Sequence, residues 1–147
     1  MPVGTVRDIC AITSEETLME ELGVFEHTLR IRLKPIEELL DIDVRSRSND
    51  ELAVEDHMTA IERYRQKAVG YHSLAACFLQ HAKSSHFLLK KSKDVSVAEQ
   101  HAKEKQLIAP FEGLATLTEG AVKSIDSRVN LCKVLLRLTD ERERGMR

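Results

Sequence analysis

Tryptophan is absent from this 147-residue chain, which holds only four phenylalanines and two tyrosines. Each aromatic ring buries about 150–250 Å², so a compact enzyme-like core usually contains more of them. The three cysteines, Cys10, Cys77 and Cys132, are scattered and odd in number. They read as buried reduced thiols, with Cys77 and Cys132 on apolar helix faces, and a cytoplasmic setting follows. No apolar run approaches the ~18 residues of a membrane span. The first residues lack a basic stretch followed by an apolar core, so no signal peptide is expected. Charge of one sign is also missing. The formal net charge is −2, so contact with nucleic acid would need a local basic patch.

What the chain does have is helical periodicity. Val54, His57, Ile61, Tyr64, Ala68, Tyr71, Ala75, Phe78, Ala82, Ser85 and Leu89 recur at steps of three and four. That spacing gathers side chains on one helical face. It predicts one helix from Asn49 or Asp50, as the cap, to near Lys93. Such a helix of about forty residues would be roughly 60 Å long. Its small residues, Ala68, Ala75, Ala82 and Ser85, permit close helix approach but bury little area each. A partner helix is therefore required. A second stretch, from about Ser96 to Glu143, supplies one through Ala98, His101, Lys105, Ile108, Phe111, Leu114, Leu117, Ala121, Ile125, Arg128, Cys132 and Leu135. Pro110 is expected to kink or split it.

The N-terminal part reads as shorter pieces. Thr13 to Glu16 has the spacing of a capping box, followed by a helix from about Ser14 to Leu22 that Gly23 ends. Residues 24–33 fit a helix or a strand, with helix favoured because no second strand is present to pair with. Pro35–Ile42 is a brief helix and Asp43–Asn49 a polar break. The expected fold is all-α: a long antiparallel helical hairpin core (36–147) with an N-terminal extension of short helices (1–35), thinly stabilised alone and therefore oligomeric.

Six histidines invite a metal reading, but none has a Glu three residues before it, and no His-Glu-x-x-His or paired-Cys motif occurs. No nucleophile elbow or glycine-rich phosphate loop is present. The chain is thus expected to be non-enzymatic, with no catalytic residues, metal or cofactor. Acidic pairs such as Glu37-Glu38 read as solvated helix faces. Two charge asymmetries remain. Asp8–Leu29 has six acids and no Lys or Arg, and Gln80–Lys93 has Lys83, Lys90, Lys91 and Lys93 with no acid. The lysines suit a helix C-terminus or a phosphate-contacting patch. Arg45, Arg47, Arg63, Arg65 and Lys67 extend a possible strip, and Tyr71 and Phe87 offer faces for base stacking.

The order of motifs resembles the UvsY recombination mediators of tailed phages. The likeness starts at Ile36-Glu37-Glu38-Leu39-Leu40, continues through Asp43-Val44, Leu52, Glu55 and Tyr64, and resumes at Gly120-Ala121-Val122-Lys123-Ser124-Ile125-Asp126-Ser127-Arg128, then Lys133 and Gly145. It spans roughly residues 36–145; the first 35 have no counterpart. The family's aromatic-glycine segment between its helices is missing, the connection here being only Ser92–Val95, and the basic run is thinner. The resemblance implies a homo-oligomer that binds single-stranded DNA, loosens a single-strand-binding protein and loads a recombinase. Its implied DNA contacts are Lys83, Lys90, Lys91, Lys93, Lys123, Arg128 and Lys133. Its implied oligomer seam is Leu117, Ala121, Ile125, Cys132 and Leu135. The competing expectation is a helical protein-interaction or structural adaptor without a nucleic-acid role, favoured by the slight negative charge and the acidic N-terminal segment.

Overall fold

The computed structural model describes residues 4–89 and 94–145. Among these every regular element is helical: α1 (Val6–Cys10), α2 (Glu15–Leu40), a short 3-10 helix (Val44–Arg47), α3 (Glu51–Ser84) and α4 (Val97–Gly145). None of the helices is long and apolar enough to cross a membrane.

The largest departure from expectation is α2. The helix expected to stop at Gly23, the ambiguous 24–33 segment and the helix from Pro35 form one continuous element. Leu18, Leu22, Phe25, Leu29, Leu33 and Ile36 are all buried, at steps of three and four that cross both supposed breaks. Packing of that stripe outweighs the ~1 kcal/mol that a mid-helix glycine costs. Pro35 deprives the carbonyl of Ile31 of its partner, but Ile31 is 60% exposed and water can satisfy it. The 35/36 division falls inside this helix. Pro110 likewise leaves α4 unbroken, with Gln106, four residues before it, exposed.

Caps sit close to where the sequence places them. Ser14, rather than Thr13, accepts from the Thr17 amide, and Asp50 accepts from the Ala53 amide. A full capping box does occur, between Thr5 and Asp8, in a segment with no clear period. Its hydrogen bonds from the Thr5 side chain and the Gly4 amide hold the Asp8 carboxyl below its usual range. The α3 helix ends at Ser84, short of Lys93. The Ser84 hydroxyl donates to the Gln80 carbonyl and the Ser85 hydroxyl to the Ala82 carbonyl, local bonds that compete with helix continuation. Beyond the helix Ser85 remains buried, but Leu88 is buried in place of the expected Leu89, which is half-buried.

The chain divides into two compact units, Met1–Ile31 with Gly70–Glu119 and Arg32–Val69 with Gly120–Arg147. In the first, the Phe25 and Phe78 rings stack at 5.3 Å. His81 Nε2 donates to the Ile12 carbonyl at 2.7 Å, so the connection between α1 and α2 lies against the end of α3. Thr118 is fully buried where the sequence favoured Leu117, which is 42% exposed. Its hydroxyl is satisfied by the Leu114 carbonyl, with His72 Nδ1 3.0 Å away. Cys10 is exposed, against the expectation of buried thiols, and lies near Cys77, whose half-buried thiol donates to the Val6 carbonyl at 3.9 Å.

In the second unit, Val44, Val54 and Cys132 form a core with Met58, Leu131, Leu135 and Leu136 around it. Arg65 meets Asp126 at 2.6 Å. With Val54 on Cys132 and Arg65 on Asp126, early α3 packs on late α4 in an antiparallel arrangement. This ion pair lowers the Asp126 carboxyl and raises the Arg65 guanidinium from their usual ranges.

Candidate functional site

The second unit places its chemistry around the C-terminal end of α2. That end leaves carbonyls without helical partners. Arg128, from α4, supplies the missing donors: Nη2 donates to the Leu40 carbonyl at 2.6 Å and Nη1 to the Ile42 carbonyl at 2.5 Å. The cation also complements the negative end of the helix dipole. Nη1 lies 3.3 Å from His57 Nε2. A guanidinium can only donate, so this imidazole nitrogen is the acceptor and His57 is neutral there, with its proton on Nδ1.

Burial first, then the charges of Arg128 and Arg47, hold the His57 pKa below its ordinary value. The unfolded chain, with an ordinary histidine near 6.5, takes up a proton that the folded chain resists. Stability is therefore full above about pH 6.5 and falls as the pH drops from there toward the lowered folded value. Urea midpoints between roughly pH 7 and pH 5 should decline for the native chain and much less for His57→Leu. Equal declines in both would remove His57 as the cause.

Beside this knot lies a cavity of about 510 Å³ lined by Leu40, Arg45, Lys123, Ser124, Ser127, Arg128 and Leu131. Ser124, Ser127, Arg128 and Leu131 follow the i, i+3, i+4, i+7 spacing of one helix face. Arg45 is brought in from the 3-10 helix, whose start is capped by the Asp43 carboxylate. Three cations and two hydroxyls thus converge with no carboxylate among the lining residues, while nearby Asp126 is held by Arg65. Hydroxyl and guanidinium donors in a cationic cleft suit a phosphate oxygen.

A second cavity of about 540 Å³ lies between α2 and α3. Pro35, Glu38, Leu39 and Ile42 form one wall and Ala60, Arg63, Tyr64 and Lys67 the other. The Lys67 ammonium is 5.7 Å from the centre of the half-buried Tyr64 ring.

Of the expected DNA contacts, Lys123 and Arg128 share the first cavity. Arg128 is not a simple phosphate contact, because it also holds the end of α2. Lys133 and Lys83 are exposed elsewhere, on α4 and in the first unit. Lys90, Lys91 and Lys93 lie outside the described residues. The expected seam is divided. Ile125 and Cys132 have no surface to offer a second copy, since each is 0% exposed in the chain's own core. Ala121 and Leu135 are half-buried and Leu117 is exposed. Phe87 packs against His81. The sequence reading missed Ser124, Ser127 and the stacking face of Tyr64, although the Ser124–Arg128 spacing was visible. Among the described residues no group of three or more His, Cys, Asp or Glu could hold a metal ion. No family model, curated protein or solved structure matches this chain.

Proposed function

We propose that this is a non-enzymatic, self-associating protein that binds the phosphate backbone of single-stranded DNA, in the manner of a recombination mediator. The observation that carries this reading is the convergence of Arg45, Lys123 and Arg128 with Ser124 and Ser127 on one cavity. Symmetric copies multiply weak phosphate contacts, so no single site need be tight. On α4, exposed Leu117, Val134 and Leu138 replace Ile125 and Cys132 as the apolar part of the seam. Partner proteins, a recombinase and a single-strand-binding protein, belong to the same reading through the resemblance of residues 36–145.

Fluorescence anisotropy with a labelled single-stranded oligonucleotide tests it, after light scattering has fixed the oligomer mass. Affinity should fall with salt. Arg45→Ala with Lys123→Ala should weaken binding to all sequences alike and lower the salt slope by about 1.4, at ~0.7 for each phosphate no longer neutralised. A monomer, absence of binding at low salt, or salt-independent binding would each count against the proposal.

A further inference from the structure

We infer that the cavity between α2 and α3 receives one unstacked nucleobase of the bound strand, with Tyr64 as its stacking platform. This rests on the single-strand reading above but on a different set of residues. The cavity, about 540 Å³, falls within the ~300–1,000 Å³ range that holds small ligands. Its walls are those a base requires. Leu39, Ile42 and Ala60 are apolar, and the half-buried Tyr64 ring offers a face that stacks on any base.

Its charges are disposed for a base rather than a bare phosphate. Glu38 lines the cavity; its carboxylate repels a phosphate but accepts from an exocyclic amino group. Arg63 and Lys67 are exposed on the same α3 face, where they can take the phosphates on either side of the inserted base. Lys67 lies toward the Tyr64 ring at cation–π distance. Its flexible stem lets the ammonium swing from the ring to a phosphate when the base enters. Pro35 and Leu39 on α2, and Ala60, Tyr64 and Lys67 on α3, repeat at steps of three and four. The cleft is thus set by two helices rather than by a loop.

The absence of tryptophan makes the test direct, since tyrosine emission is not masked. In a Tyr71→Phe background Tyr64 is the remaining tyrosine. Saturating the full-length protein with an oligodeoxycytidylate should quench its emission, whereas an abasic oligomer of equal phosphate count should bind and leave the emission unchanged. In the native chain Tyr64→Leu should weaken binding of the base-bearing strand about tenfold and leave the abasic strand unaffected. Tyr64→Phe, which keeps the ring face, should bind nearly as the native chain does. If both strands bind and neither quenches, or if Tyr64→Leu weakens both strands equally, the base subsite is overturned while backbone binding stands. If neither strand binds, the subsite and the single-strand reading fall together.

Discussion

Phe78→Ala is expected to destabilise the first unit by about 3–5 kcal/mol, the usual cost of deleting a buried phenylalanine. Phe78 is 1% exposed and stacks on Phe25 at an interplanar angle of 32°. Its neighbours on the same α3 face are Ala75 and Ala82, both 0% exposed. Neither can extend into the vacated space, so the cavity persists rather than collapsing. In a chain with so few aromatic rings, one phenyl group is a large share of the core. At ~2–4 °C per kcal/mol for a chain of this size, the melting temperature by circular dichroism should drop by roughly 10 °C. Phe78→Leu should lose well under half as much. A loss below about 1 kcal/mol for the alanine variant would show that Phe78 is not packed as described.

Arg128→Ala is expected to cost about 3 kcal/mol, from two hydrogen bonds to a charged donor at ~1.5–3 kcal/mol each, offset in part by water reaching the freed carbonyls. The loss should be local. Amide exchange near Leu40–Ile42 should accelerate first, because those carbonyls lose the donors that tie the end of α2 to α4. Arg128→Lys should recover less than half, since a lysine cannot span the Leu40 and Ile42 carbonyls with a planar fork. Full recovery by lysine would mean that charge near the helix end matters and the paired geometry does not. Arg128→Ala should also weaken the pH dependence traced to His57, since it removes one of the charges that add to burial in lowering the His57 pKa.

Most of the stripe on α3 is legible in the sequence, although Tyr64, Tyr71 and Leu89 are only half-buried. Val54, Ile61, Ala68, Ala75, Phe78 and Ala82 are all buried, because spacing alone decides which side chains share a helix face. The second stripe is legible only from Ile108 onward: Ala98, His101 and Lys105 are exposed. Around Leu117 it slips by one residue. A hydrophobicity pattern prefers leucine to threonine, but Thr118 satisfies its hydroxyl within its own helix and so can be buried cheaply. Gly23 looks like a stop and Pro35 like a new start, although the stripe from Leu18 to Ile36 continues through both. Their cost is local and the packing that outweighs it is not.

The all-α class, the apolar faces of the long helices and a cap for α3 at Asn49 or Asp50 all follow from residue order, since each depends on interactions within a few residues. Other features come only with the folded chain: Arg128 holding the end of α2, Cys10 meeting Cys77, and Arg45 joining Lys123 and Ser127 around one cavity. Those groups are distant along the chain, and no periodicity records which helix will lie beside another. Their meeting depends on how the helices pack, and packing draws on the whole core.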